Sequence, residues 1–371
     1  MGKCIMVGID LHEARMVVMI GEGREGCEPR TVENTPEARA ALWRELKKRA
    51  GRGKGARVVV AYEASGLGFG MCEEAQASRI ECHVLAPTRI ARSARHRRRK
   101  TDVSDAKGLL EIVRGHVLGG NEWPEVWRPD PQTRDDRETV RARLDAAEKL
   151  TSVKAQVQSL LKRNGLRRPQ GAGKGWTGAF EAWLRGLCAP PSPLAAGARQ
   201  ALASLLRQKD FFDAERARLD EAVGALALTP RYLEPVRALH EAQGVGVLAA
   251  MVFLTELGDL NRFPNRKAVG AYLGLVPTSA ESGPVADRKG HITHQGPWRV
   301  RRVLCQCVWS RIRTDDAEKA AYDRLVAKNP KHKKIAVVAL MRRLGVLLWH
   351  LGRDAQIRHA CFSSSSAPHA A

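Results

Sequence analysis

The chain opens with an apolar run, Ile5-Met6-Val7-Gly8-Ile9, closed by Asp10, and a second run from Met16 to Ile20 follows at hairpin distance. Short apolar runs bounded by polar residues read as buried strands. Val58-Val59-Val60-Ala61-Tyr62, closed by Glu63 and followed by Ala64-Ser65-Gly66, repeats the pattern. The spacing predicts strands near 4–10, 15–21, 57–63 and 80–85, and helices near 36–49, 67–78 and 102–117. Alternating elements of this kind predict an α/β domain over residues 1–130, left through a Trp- and Pro-rich loop from Asn121 to Pro131.

The period then changes. Val140, Leu144, Ala147, Leu150, Val153, Val157 and Leu160 recur in steps of three and four between Arg134 and Arg163, an amphipathic stripe on a long helix. A Gly- and Pro-rich loop, Arg167 to Pro193, separates it from a second stripe through Leu202, Leu205, Phe212, Leu219, Val223 and Leu226. The pair predicts an antiparallel coiled-coil arm over 131–230, read first as a spacer and dimerisation element and after that as a nucleic-acid contact. Residues 231–362 read as a mainly α-helical third domain. Its opening, Leu239 to Phe263, sets Gly244-Val245-Gly246 between two helices, in the manner of a helix-hairpin-helix whose turn offers N–H groups to phosphate. A plain helical hairpin fits the same pattern equally. The Ser-rich end, residues 363–371, reads as a disordered tail.

Charge narrows the class of partner. The 371 residues include 62 Lys and Arg against 40 Asp and Glu, a formal charge of +22, which points to a polyphosphate. No apolar stretch approaches the roughly 20 residues that span a bilayer, so no membrane partner is expected. The eight cysteines lack paired spacing and read as reduced thiols, neither a disulfide framework nor a zinc site. The expectation is a cytoplasmic, nucleoid-associated bacterial protein.

Candidate chemistry lies in four acids. Asp10 and Glu63 close neighbouring strands, and carboxylates at strand ends converge on one edge of an open sheet. Asp102 and Asp105, three apart where a helix begins, share one face. Oxygen donors in that number suit Mg²⁺ or Mn²⁺ rather than zinc. A pair of such ions about 3.5–4 Å apart can stabilise both the attacking and the leaving oxygen in phosphodiester chemistry. Immediately upstream, Arg89, Arg92, Arg95, His96, Arg97, Arg98, Arg99 and Lys100 run without an acid. A basic block that abuts such acids is read as holding phosphates beside them, without sequence specificity. Lys289, Arg299, Arg301 and Arg302 are candidates for the same role downstream, and His291 and His294 are read as phosphate contacts rather than metal ligands. Gly53-Lys54 and Gly173-Lys174 lack the spacing of a P-loop.

Taken together, Gly8-Ile9-Asp10, Glu63-Ala64-Ser65-Gly66 and Lys100-Thr101-Asp102-Val103-Ser104-Asp105-Ala106 resemble the N-terminal DEDD domain of a transposase family. Gly244-Val245-Gly246, Glu256-Leu257-Gly258-Asp259, Arg262-Phe263 and Tyr272-Leu273-Gly274-Leu275-Val276-Pro277 resemble its C-terminal part, in the right order. The family is the insertion-sequence "one-ten" group, related to the Piv and MooV DNA invertases. The resemblance implies a RuvC-like, RNase H-like N-terminal fold, a coiled-coil insertion, and a C-terminal transposase domain with a serine nucleophile. It further implies recombination of donor and target double-stranded DNA guided by a noncoding bridge RNA, by dimers that assemble into a tetramer. The acidic domain of one protomer would meet the serine domain of another. Asp10, Glu63, Asp102 and Asp105 would hold Mg²⁺, and the family's Ser-Gly step falls on Ser282 and Gly283, with Ser279 the nearest other hydroxyl. The chain departs from the family where Glu281 precedes Ser282, and where His291, His294 and Gln295 stand in a stretch usually rich in Arg and Lys.

Two other function classes fit parts of the pattern. A metal-only nuclease, such as a junction resolvase, would use the acids and leave Ser282 idle. A non-catalytic DNA-binding protein would use neither, and the intact acid quartet argues against it.

Overall fold

The computed structural model describes residues 3–90, 101–279, 289–328 and 330–365. It divides into two compact units, Met1–Arg128 and Pro129–Ala371. The arm helices and the C-terminal part therefore form one unit, where the sequence pattern suggested two domains.

The first unit is a five-stranded sheet in the order β3-β2-β1-β4-β5. Strands β1 (Cys4–Leu11), β2 (Arg15–Glu22) and β3 (Glu28–Glu33) are antiparallel, while β4 (Arg57–Glu63) and β5 (Glu81–Leu85) run parallel to β1. Strand alternation decides which side chain meets which layer. Ile5, Val7, Ile9, Val58, Val60 and Tyr62 form one core with α1 (Pro36–Ala50) and α2 (Gly70–Ala77). Met6, Val59 and Ala61 face the other way, onto α3 (Asp102–Gly119) through Ala106, Leu109, Leu110 and Val113. This mixed sheet with helices on both faces is consistent with the RuvC-like expectation.

The exit segment does more than leave the domain. It runs beside β5, with Val126 N–H donating to Val84 O at 2.8 Å and Ala86 N–H to Pro124 O at 2.7 Å, so the outer edge of β5 is covered. Trp123 stacks between His83 and His116 at centroid distances of 4.1 and 4.3 Å. Arg128 donates to Cys72 Sγ at 3.0 Å and Gln76 Oε1 at 2.8 Å.

The second unit is helical apart from a short hairpin, β6 (Pro277–Ser279) with β7 (Lys289–Ile292). Helices α4 (Pro131–Arg163) and α6 (Ala196–Ala227) pack antiparallel, joined near their base by the ion pair Arg143–Asp220 at 2.6 Å. The Gly- and Pro-rich connection holds α5 (Gly178–Gly186), whose Phe180 and Leu184 join Val157, Leu160, Leu202 and Leu206 in a separate small core. At the other end Val140, Leu144, Val223 and Ala227 belong to the main core. That core is built around α8 (Val247–Leu257), buried from Ala250 to Leu257, with α7 (Leu233–His240), α9 (Arg266–Tyr272), α10 (Trp298–Thr314), α11 (Asp316–Lys328) and α12 (Lys333–Ser365).

The turn between α7 and α8 is a close packing joint. Gly244 has φ +79, and a Cβ there would stand 2.9 Å from Arg311 Cγ and 3.2 Å from Cys307 O of α10. Helix α12 corrects two expectations. It continues through Ser365, so the first three residues of the segment read as a disordered tail are helical. Its span Pro330–Arg358 is also long and apolar enough by composition to cross a bilayer, which the reading of shorter runs passed over. Half of its most apolar 18-residue window is buried in the protein, where Leu340, Leu344, Leu348 and Trp349 pack into the core.

One buried charge ties the arm to this core. Glu256, 6 % exposed, accepts a bidentate pair from Arg141 at 2.8 and 3.0 Å, while Arg137 donates to Thr255 O at 2.8 Å. Removing one partner of a buried pair leaves the other charge unanswered. Glu256→Gln is expected to cost about 2–3 kcal/mol, discounted for the partial exposure of Arg141, read as a lower urea midpoint at unchanged slope.

Candidate metal centre at the sheet edge

Asp10 and Glu63 lie where alternation and register jointly place them. Ile9 pairs with Tyr62, so the next positions along the parallel strands are Asp10 and Glu63. Ile9 and Tyr62 face α1 and α2, which turns both acids to the face covered by α3. Gly8 lets that helix come close: a Cβ on it would lie 2.3 Å from Leu110 N and 2.4 Å from Ala106 O. Only a residue without a side chain permits this approach.

A capping box fixes the start of α3 and so the acids on its first turn. Thr101 Oγ1 accepts from Ser104 N–H, and Thr101 N–H donates to Ser104 Oγ, both at 3.2 Å. Asp102 and Asp105 occupy the positive end of the helix, where carboxylates are favoured. Three separate segments thus turn the four predicted acids toward one edge; Asp10 and Asp102 stand within ligand distance of each other there, while Glu63 and Asp105 are not in that tight group.

The tightest part of the cluster includes a residue the sequence reading missed. His12 Nε2 is 3.0 Å from Asp10 Oδ2 and 3.6 Å from Asp102 Oδ2. One ligand atom from each of Asp10, His12 and Asp102 lies within 4.8 Å of the others. Arg15 Nη2 stands 3.4 Å from the same Asp102 oxygen. The available signal was the Asp10-Leu11-His12 spacing, since residues two apart at a strand end share a face. Burial pushes the Asp10 carboxyl above its ordinary range; His12 opposes this, and the charges of Asp105 and Asp102 add to it.

Like charges held together by the fold are a fit for a cation, because a divalent ion removes the repulsion that crowds them. The donor set of carboxylates and one imidazole suits Mg²⁺ or Mn²⁺, the nitrogen tilting it toward Mn²⁺.

The other predicted site residues are placed unequally. Arg89 is exposed just beyond β5, at the same carboxyl-terminal edge of the sheet. Arg92, Arg95, Arg97, Arg98, Arg99 and Lys100 lie outside the described residues, as does Ser282; Ser279 ends β6 and Lys289 begins β7. Three downstream arginines have partners inside their own unit. Arg299 pairs with Asp145 at 3.1 Å, and Arg302 with Glu148, both on α4. Arg301 binds Gln295 O at 2.6 Å and His294 O at 3.0 Å, which clamps the loop before α10.

Comparison with known proteins decides the class. A profile described as a transposase, of the DEDD type found in IS110, matches residues 7–164, and one described as "Transposase IS116/IS110/IS902 family" matches 236–323. The chain belongs to the IS116/IS110/IS902 family of insertion-sequence transposases. It is similar to the Sinorhizobium fredii protein named as transposase y4qE, at 29% identity over 94% of this chain and 89% of that one. A family 20 transposase of Pseudomonas aeruginosa is 25% identical over 68% and 72% of the two chains. An IS110 protein of Streptomyces coelicolor is 29% identical over 42% of this chain and 36% of its own length. This transposase is therefore a DNA-cleaving and rejoining enzyme. The DEDD profile covers Asp10, Glu63, Asp102 and Asp105.

Proposed function

We propose that this transposase excises and inserts its own element by RNA-guided strand exchange, through a phosphoserine intermediate, with Asp10, Glu63, Asp102 and Asp105 holding Mg²⁺ or Mn²⁺. The observation that carries the proposal is the delivery of these acids from β1, β4 and α3 to one face of one sheet edge. Bound there, divalent ions would supply charge stabilisation to a phosphodiester undergoing displacement. Asp10 and Asp102, with His12 within reach of both, would hold such an ion.

Ser282 is the proposed nucleophile. Its Oγ forms a bond to phosphorus as the bond to one deoxyribose oxygen breaks, and the serine proton leaves with that alcohol. A hydroxyl from the exchanged strand then attacks the phosphoserine and regenerates Ser282. The number of phosphodiester bonds is conserved, so no ATP is needed. Arg89, Arg92, Arg95, Arg97, Arg98, Arg99 and Lys100, which precede Asp102 in the chain, serve as phosphate contacts, with Lys289 in a similar role in the second unit; Arg299 and Arg302 are instead held by Asp145 and Glu148. Donor and target DNA, a guide RNA from the element and further copies of this chain are the partners, in a cytoplasmic, nucleoid-associated setting.

The test is a gel assay for a covalent protein–DNA adduct. Purified protein is mixed with RNA from its element's flank, labelled donor DNA and Mg²⁺, and compared with Ser282→Ala and Asp10→Ala. The expected adduct forms with the native chain alone. Cleavage without adduct, unaffected by Ser282→Ala, would instead assign a metal-only nuclease of the junction-resolvase type.

A further inference from the structure

Charge is divided sharply along the two-helix arm. Its base, residues 131–149 and 209–227, carries eight Lys and Arg against ten acids. Its outer half, residues 150–208, carries nine Lys and Arg against one acid, Glu181. Glu181 itself is occupied, at 2.6 Å from the buried Lys209. At the base, acids are answered by structural arginines, as in Arg143–Asp220 and Arg299–Asp145. In the outer half, among the described residues, only Arg185 reaches an acid, Asp210 at 2.8 Å.

The outer half is also built to hold its shape. It has its own core around Phe180, Leu184, Leu202 and Leu206. Arg168 lies 3.7 Å from the Phe180 ring centroid and donates to Gly173 O at 2.6 Å, which ties down the loop after α4. Lys162, Arg163, Arg167 and Lys174, on that loop and the last turn of α4, are exposed. Cations at a helix C-terminus have a bland explanation, since they complement the helix dipole. It accounts for Lys162 and Arg163, but not for Arg167 and Lys174, which lie beyond the helix.

At Arg163 runs a groove of about 410 Å³ between α4 and α6, lined by Gln156, Ser159, Ser204 and Gln208 together with the apolar Leu160, Ala201 and Leu205. Its amides and hydroxyls, with Arg163 among them, suit the phosphate and sugar oxygens of a nucleic-acid backbone, and the exposed cations of the same outer half add charge. An interface between copies of the arm would favour an apolar strip with balanced charges, and a net positive face repels its own copy.

We propose that the outer half of the arm is a docking surface for the phosphate backbone of duplex DNA, at a distance along the chain from the acidic centre. DNA is the occupant because the enzyme's class acts on it. The surface reads no sequence; it adds affinity and holds the duplex in register.

The test uses the full-length protein and a short labelled DNA duplex, with affinity measured over a series of salt concentrations. The arm variant is Lys162→Gln, Arg163→Gln, Arg167→Gln and Lys174→Gln combined. The control removes the same charge from exposed positions of the first unit: Arg24→Gln, Lys48→Gln, Arg52→Gln and Lys54→Gln. Each neutralised phosphate contact contributes about 0.9 to the log–log salt slope. The arm variant is expected to lower that slope by about 3.6 and to bind more weakly by about tenfold or more at moderate salt. The control is expected to match the native chain. Should the combined variant melt early, the four single changes replace it, each lowering the slope by about one. Equal losses in arm and control would overturn the proposal in favour of net charge alone. Loss confined to an RNA duplex would reassign the surface to RNA. Unchanged DNA binding with an altered oligomeric state would make it an interface between copies.

Discussion

A chain carrying Asp10→Asn should fold at least as well as the native protein, bind DNA, and fail to cut it. The carboxyl is held above its ordinary range by burial and by the neighbouring charges of Asp105 and Asp102. A group with a raised folded-state pKa destabilises the folded protein once the pH passes that value, so removing its charge relieves a cost at neutral pH. The same charge is what the site offers a divalent ion. Losing several kcal/mol of charge stabilisation lowers the rate of strand cleavage by about 10³-fold or more. Two measurements separate the effects. Melting without divalent ions should show Asp10→Asn equal to or above the native chain. Adding Mn²⁺ at about 100 times its dissociation constant should stabilise the native chain by about 2.7 kcal/mol and leave the variant nearly unmoved. A variant that keeps the full Mn²⁺ response would remove Asp10 from the metal site, whatever its activity.

How far the sequence reached can be read from particular residues. Asp10 and Glu63 were visible because each closes a run of buried apolar residues, and the register sets them side by side. The pair Asp102 and Asp105 was visible because a helix start brings residues three apart together; the capping box of Thr101 and Ser104 fixes that start. Strand β3, Glu28–Glu33, left no apolar signature because it is an edge strand with nearly every residue exposed. Helix α5 was hidden among glycines and prolines, although Phe180, Trp183, Leu184 and Leu187 have helical spacing. His12 is a single histidine in a hairpin, and its role appears only when α3 brings Asp102 within 3.6 Å. Arg299 and Arg302 read as a basic face because their acid partners lie 154 residues away. The arm shows the opposite case. Its charge division was present in the sequence, but its meaning required knowing which segments share the outer end.

Gly8→Ala should be among the most damaging single changes in the first unit, though it adds only a methyl group. The added carbon would lie 2.3 Å from Leu110 N and 2.4 Å from Ala106 O. Both are backbone atoms, so no side chain can rotate aside, and α3 must move away from the sheet. Overpacking of this kind costs about 1–3 kcal/mol and sometimes more, and here the backbone contacts set it at the upper end. Asp102 and Asp105 travel with α3, whereas Asp10 stays on β1, so the acids separate as the helix lifts. Stability and cleavage should therefore fall together, with the Mn²⁺-induced stabilisation reduced even where the protein remains folded. Gly108→Ala is the matched comparison on the same helix: no atom lies within 4 Å of its added carbon. There the substitution should raise stability by about 0.5–1 kcal/mol through helix propensity and leave cleavage unchanged. A Gly8→Ala chain that melts and cuts like the native one would show that the close seat of α3 on β1 is not what brings the acids together.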